Sequence, residues 1–211
     1  MDELTYEREY HAQGFTALAG VDEVGRGPLA GPVVCAAVIM PLEEEKRIRG
    51  IDDSKKISAK RRELLAEEIK RVARAYCIVE IDERTIDEIN ILQATRLGMK
   101  RAVEGLSIPA DMVLTDGNMT LDIALPQRSI VKGDALVYSI GAASILAKTY
   151  RDGLMKKFAE EFPAYGFERN AGYGTAEHIR AIGEVGICRI HRKTFVKKFW
   201  DGGEKTPPAN T

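Results

Sequence analysis

The sequence predicts an α/β fold, a β-sheet of mixed direction flanked by helices. Three observations carry this. The chain has 211 residues, 45% hydrophobic and 30% charged, which suits one folded unit with a sizeable core and excludes a mostly disordered chain. Two runs of strand character lie next to each other near the start, before any long helical pattern. Beyond them strands and helices alternate, the order expected of an α/β sheet.

Residues 1–14 are polar and predict a short helix or arm. Phe15 to Val24 leads into a strand that ends at Asp22-Glu23, and Gly25, Gly27, Pro28, Gly31 and Pro32 then punctuate a loop. Val33 to Met40 is a run of β-branched and small apolar residues, hence a buried strand. Pro41 to Arg49 is charged and reads as a turn or sheet edge. Ser58 is placed to cap a helix running to about Arg74, with Leu64, Leu65, Ile69 and Val72 at helical spacing. Tyr76 to Ile81 predicts a strand. Asn90 to Leu106 predicts a helix, since Ile91, Thr95, Met99 and Val103 recur every fourth residue. Two short strands follow, Met112 to Thr115 and Ser129 to Val131, ending at Asp116-Gly117 and Gly133-Asp134. Val137 to Phe162 is a long helical pattern, with Gly141 or Gly153 the expected place of any break. Ala164 to Gly174 reads as an aromatic, glycine-rich loop, and Thr175 as the cap of a short helix to Gly183. Ile187 to Trp200 is basic with interleaved aromatics, and the last ten residues are expected to fray.

The net charge is −1, so the chain is no globally basic nucleic-acid binder, and contact with a polyanion must come from local clusters. Cys35, Cys77 and Cys188 are scattered, as are His11, His178 and His191. That excludes a zinc finger or disulfide framework, implies a reducing compartment, and makes the cysteines buried small apolar residues. No stretch approaches the roughly 18 to 20 apolar residues of a membrane span. The first residues are acidic and polar, unlike a secretion signal, so a cytoplasmic location is expected.

The informative feature is where the acids fall. Asp22-Glu23, Asp116 and Asp134 each sit at the end of a predicted strand, where side chains of an α/β sheet face a crevice. Converging there, they would repel one another unless a cation sat between them. With no Cys or His nearby, that cation would be hard, Mg²⁺ or Mn²⁺. Asp-Gly and Gly-Asp are also ordinary turn chemistry, and a strand-end acid also caps a following helix, so pattern alone leaves both readings open. Gly25 and Gly27 around Arg26 permit close backbone approach to a phosphate or ribose hydroxyl, though a tight turn with a solvated Arg has the same pattern.

Taken together, these motifs resemble bacterial ribonuclease HII, the type 2 ribonucleases H. The resemblance runs through Asp22-Glu23-Val24-Gly25-Arg26-Gly27-Pro28-Leu29-Ala30-Gly31-Pro32-Val33, Asp53-Ser54-Lys55-Lys56-Ile57-Ser58 and Asn90-Ile91-Leu92-Gln93-Ala94-Thr95. It continues in Asp116-Gly117-Asn118, Lys132-Gly133-Asp134, Ala142 to Lys148, Arg151-Asp152, Gly172-Tyr173-Gly174-Thr175 and His191-Arg192-Lys193-Thr194-Phe195. The resemblance implies one ribonuclease H-like catalytic domain over 1–211, with a core at about 15–162, a small helical C-terminal part at about 163–200 and a tail at 201–211. It implies hydrolysis of RNA in RNA–DNA hybrids and cleavage 5′ to single ribonucleotides in duplex DNA, leaving 3′-hydroxyl and 5′-phosphate ends. Asp22, Glu23, Asp116 and Asp134 would be the catalytic, metal-binding carboxylates, with Asp152 a rival for the fourth place better suited to a helix ion pair. Two ions about 4 Å apart would activate a water and stabilise the leaving oxygen. Gly25, Arg26 and Gly27 would read the 2′-hydroxyl and phosphate, and Tyr173 would stack on the deoxynucleotide to the 3′ side.

Lys55 and Lys56 are the favoured phosphate contacts, with Lys148 and Arg192 weaker candidates. His191 is expected to orient a loop by hydrogen bonding, and His178 to lie on the short helix. Gly98 stands where the family often has alanine, a stability cost in a helix. A monomer is expected.

Overall fold

The computed structural model describes residues 4–51 and 57–200. A five-stranded sheet is built from β1 (Leu18–Val24), β2 (Val33–Ile39), β3 (Ala75–Ile81), β4 (Met112–Asp116) and β5 (Gln127–Ile130), in the order β3-β2-β1-β4-β5. The adjacent strands β1 and β2 pair antiparallel, as do β2 and β3, whereas β4 lies parallel to β1 and β5 parallel to β4. The mixed direction follows from the connections. The short glycine- and proline-rich loop at 25–32 permits only an antiparallel partner, and the long crossover between β3 and β4 permits a parallel return beside β1.

The helices are α1 (Thr5–Ala12), α2 (Ala59–Val72), α3 (Glu83–Glu104), α4 (Gly133–Leu136), α5 (Tyr138–Glu161), α6 (Phe167–Asn170), α7 (Ala176–Val185) and α8 (Lys193–Val196). On one face of the sheet, Val34, Ala36 and Val38 pack against α2 and α5. On the other, Ala19, Val21, Cys35, Ala37 and Val113 pack against α3. A third cluster, joining Leu29 and Ala30 to Tyr165, Phe167, Ile182, Ile190 and Val196, makes up the small helical C-terminal part. Among the described residues no helix is long and apolar enough to cross a membrane.

Local sequence accounts for most boundaries. Ser58 and Thr175 cap α2 and α7 as expected. The expected helix at Asn90 is the second half of α3, whose earlier turns, capped by Asp82, the apolar spacing did not reveal. Asn90 has φ 65°, and its Oδ1 accepts from the backbone N–H of Leu92 and Gln93, so it ends one half and caps the next. α5 is unbroken at Gly141 and Gly153. Burial of this helix on the sheet outweighs the roughly 1 kcal/mol that each glycine costs. The stretch expected to be a loop after Ala164 instead holds a 3-10 turn (Pro163–Tyr165) and α6.

Two glycines mark close approaches. A Cβ at Gly98 would lie 2.7 Å from Cys35 Sγ, so this glycine is where α3 meets β2 and not simply a weak helix former. A Cβ at Gly20 would lie 2.1 Å from the backbone carbon of Ser139, so β1 touches the first turn of α5 directly. Gly20→Ala is therefore expected to cost about 3 kcal/mol, measured as a lowered urea midpoint, because backbone on both sides must move.

Candidate active site

Asp22 closes the buried part of β1, and Asp116 is the last residue of β4. Val21 pairs with Thr115 in the parallel register, so the two acids are the next residues along neighbouring strands. Both line a cavity of about 220 Å³ together with Glu23, Val24, Ser144, Lys148 and Tyr173. A larger cavity of about 580 Å³ lies at the opposite end of β1, beside Thr16, Arg8 and Arg74, and contains none of these acids.

The electrostatics set the smaller cavity apart. Asp22 is buried, and its carboxyl is held well above the ordinary range, first by desolvation, then by the charges of Glu23 and Asp116. Hydrogen bonds from the Ser144 hydroxyl and the Glu23 N–H (2.7 Å) only partly offset this. Glu23 is also raised, by desolvation and by Asp116, against the pull of the Arg26 guanidinium 3.4 Å away. Asp116 Oδ1 accepts from the Gly133 N–H at 2.6 Å. The donor set is oxygen only and mutually repulsive, which matches the chemistry of a hard divalent cation. Its side chains ring the cavity without closing on one point. Among the described residues, no three His, Cys, Asp or Glu side chains are placed to hold a metal ion as they stand.

Asp134 occupies the first turn of α4, half-buried, one residue beyond the amide that holds Asp116. It is not among the residues lining the cavity. Its position follows from Lys132, whose left-handed backbone turns the chain from β5 into α4. Asp152 accepts from Arg62 (2.9 Å) and Lys148 (2.7 Å), a helix ion pair outside the cavity lining. Lys55 and Lys56 lie outside the described residues.

The loop after β1 is set from within. Gly25 has φ +92°, and a Cβ there would lie 2.2 Å from Arg151 Nε. Gly27 faces the ring of Tyr173, with its would-be Cβ 3.5 Å from Cε1. Arg192, a weaker phosphate candidate in the sequence, is fully buried. Its Nη1 donates to Arg26 O (2.9 Å), its Nη2 to Gly25 O (2.5 Å), and its Nε to Gly31 O (2.9 Å). Arg151, also fully buried, donates to the carbonyls of Pro32 (3.0 Å), Ala30 (3.1 Å) and Ala171 (3.0 Å). A trans peptide points its N–H opposite its C=O. With the carbonyls of Gly25 and Arg26 turned onto Arg192, the N–H groups of Arg26 and Gly27 point away from it.

Ser144 and Arg151 were not assigned to the site by sequence, and Lys148 was only a weaker phosphate candidate, although their spacing with Met155 puts all four on one face of α5. Arg192 carried no signal of burial. Of its neighbours in the basic C-terminal run, Arg189 is engaged by Glu161, while Lys193, Lys197 and Lys198 are exposed. Cys35 and Cys188 are buried as expected, but Cys77 is only half-buried.

The sheet order, the carboxylates at the ends of its central strands and the small helical C-terminal part define a ribonuclease H-type α/β protein. The crystal structure of ribonuclease H2 from Pyrococcus horikoshii superposes with a TM-score of 0.75 at 24% identity, covering 88% of this chain and 98% of that one. Bst-RNase HIII in complex with Mn²⁺ superposes with a TM-score of 0.64 at 20% identity, over 83% and 65% of the two chains. The ribonuclease HII profile matches residues 19–201, and the chain belongs to that family of nucleases. Ribonuclease HII of Caldicellulosiruptor saccharolyticus is 50% identical over 94% of this chain and 97% of its own length.

The raised carboxyl of Asp22 has a consequence for stability. Its contribution is fully present below the ordinary carboxylate range and is lost as pH rises through the raised value. In protein stripped of divalent ions, Asp22→Asn is expected to raise stability at neutral pH by about 1 kcal/mol and to change it little near about pH 3. Denaturant titrations at the two pH values check this.

Proposed function

We propose that this chain is an endoribonuclease that cuts the RNA strand of RNA–DNA hybrids and cleaves 5′ to single ribonucleotides in duplex DNA, leaving 3′-hydroxyl and 5′-phosphate ends. The observation that carries the proposal is the grouping of Asp22, Glu23 and Asp116 in one cavity with Tyr173, next to Gly27. Membership of the ribonuclease HII family supports it.

Asp22, Glu23 and Asp116 would hold Mg²⁺ or Mn²⁺, with Asp134 the fourth carboxylate. The Mn²⁺ complex of Bst-RNase HIII supports this choice of ion. Two such ions would supply an activated water and charge stabilisation at the leaving oxygen. The protein's own groups do the rest. Ser144 and the Glu23 amide orient Asp22, and the Gly133 amide orients Asp116. The outward N–H groups of Arg26 and Gly27 meet the phosphate and 2′-hydroxyl at the ribose junction. Tyr173, 46% exposed, offers its ring to the neighbouring deoxynucleotide. Lys55 and Lys56 would add phosphate contacts. The protein would act as a cytoplasmic monomer.

A labelled DNA duplex carrying one ribonucleotide tests this. With Mg²⁺ or Mn²⁺, a cut immediately 5′ to the ribonucleotide is expected, with none in the all-DNA duplex. Asp116→Asn should lower the rate by more than about a hundredfold while the protein stays folded. Cleavage of the all-DNA duplex at the same rate would make the protein a general nuclease, and no cleavage by folded protein would make it a binder. Duplex affinity should fall steeply with salt, because phosphate contacts release counterions.

A further inference from the structure

Two fully buried histidines, His178 on α7 and His191 just before α8, sit against Tyr165 and Phe167. Their Nε2 atoms are 3.0 Å apart. The nearest partner on the far side of each ring is a backbone group with one hydrogen-bonding role. His178 Nδ1 lies 2.9 Å from the carbonyl of Tyr173, which can only accept, so Nδ1 carries the proton. His191 Nδ1 lies 2.9 Å from the N–H of Cys188, which can only donate, and 3.1 Å from the Cys188 thiol, which can donate as well. The Cys188 carbonyl is farther, at 3.3 Å, and already accepts from the His191 N–H, so the shorter contact makes Nδ1 the acceptor. In neutral rings, these ends make His178 Nε2 an acceptor and His191 Nε2 a donor, which is what the contact between them requires. The shortest contacts at the two ends thus call for complementary tautomers.

We propose that His178 and His191 are positioning residues, a neutral one-way hydrogen-bond relay from the Cys188 amide to the Tyr173 carbonyl that sets Tyr173 against the substrate. This rests on the stacking role given to Tyr173 above. Burial pushes His191 down to about 3, helped by the neighbouring His178, and burial lowers His178 as well. A proton added to either ring would set two N–H groups against each other.

The relay matters because the Tyr173 ring is too exposed to be fixed by packing. Its place is set by its backbone, through Tyr173 N–H to Asn170 O (2.9 Å), Thr175 N–H to Tyr173 O (2.8 Å) and the bond from His178. The relay starts in the segment that also sets the glycine loop. Gly31 N–H donates to Ile190 O, Arg192 N–H donates to Leu29 O, and the Arg192 side chain holds Gly25 and Arg26. Tyr173 and the Gly25-Arg26-Gly27 loop therefore take their positions from one stretch of chain.

A double-mutant cycle on the single-ribonucleotide duplex tests this. Tyr173→Ala is expected to lower kcat/KM about tenfold. His178→Leu should do the same in the native background, chiefly through KM, but cost less than about twofold in the Tyr173→Ala background. His178→Asn, whose amide can still donate to the Tyr173 carbonyl, should recover part of the loss. Equal cost of His178→Leu in both backgrounds, with Tyr173→Ala still impaired, would overturn the relay alone. An unimpaired Tyr173→Ala would overturn the stacking role and the relay with it. Nitrogen-15 spectra of the unmutated protein at about pH 7 give an independent reading. The expected tautomers are Nδ1–H for His178 and Nε2–H for His191, and the reverse pair or an imidazolium would overturn the proposal.

Discussion

Two guanidinium groups, Arg151 and Arg192, are buried with carbonyl oxygens as their hydrogen-bond partners, and among the described residues neither forms an ion pair. Burying such a cation costs several kcal/mol unless its donors are satisfied. Here the carbonyls of Gly25, Arg26, Ala30, Gly31, Pro32 and Ala171 satisfy them. Desolvation lowers the two groups to about 10 and about 9, so both stay charged at neutral pH. The loop between β1 and β2 therefore spends its acceptors inward, on α5 and on the C-terminal part. Everything that faces the cavity from that loop is a consequence.

Pairing these cations with neutral carbonyls also keeps two sets of charges apart. An arginine bonded to Asp22 or Asp116 would neutralise the carboxylates that line the cavity. Instead the acids remain in mutual repulsion at the ends of parallel strands, and Arg26, partly exposed, is the cation set against Glu23. Lys148 reaches the same cavity but is engaged by Asp152. Holding these acids together costs the fold some stability, since burial and mutual repulsion disfavour their charged forms.

The sequence made the strand ends legible because Asp22-Glu23 and Asp116 terminate apolar runs, and it made the caps at Ser58 and Thr175 legible because capping is local. It placed Asp134 at a strand end, whereas the chain has already turned into α4 by then. It missed the first half of α3, since Glu83 to Ile89 is mostly charged and buries only Ile86. It could not mark Arg192, since a buried arginine is spelled the same as a solvated one, and its partner Gly25 lies 167 residues away. His191 was expected to orient a loop, and its hydrogen bonds to Cys188 and His178 fit that. Its pairing with His178 depends on how α7 and the segment before α8 pack, which no local pattern encodes.

Asp87, in the half of α3 before the Asn90 kink, accepts from the N–H of Lys193 (2.7 Å) and Thr194 (2.9 Å), so it receives the start of α8. With the Arg192 clamp, this ties the last described helix back to the first loop. Ribosomes deliver a chain from its N-terminus, and early segments begin to fold first. Asp22, Glu23 and Asp116 are thus made long before the residue that fixes the neighbouring loop. A nascent chain carries these carboxylates while the neighbouring glycine loop is still unset, and the two are united only when the last described helix docks.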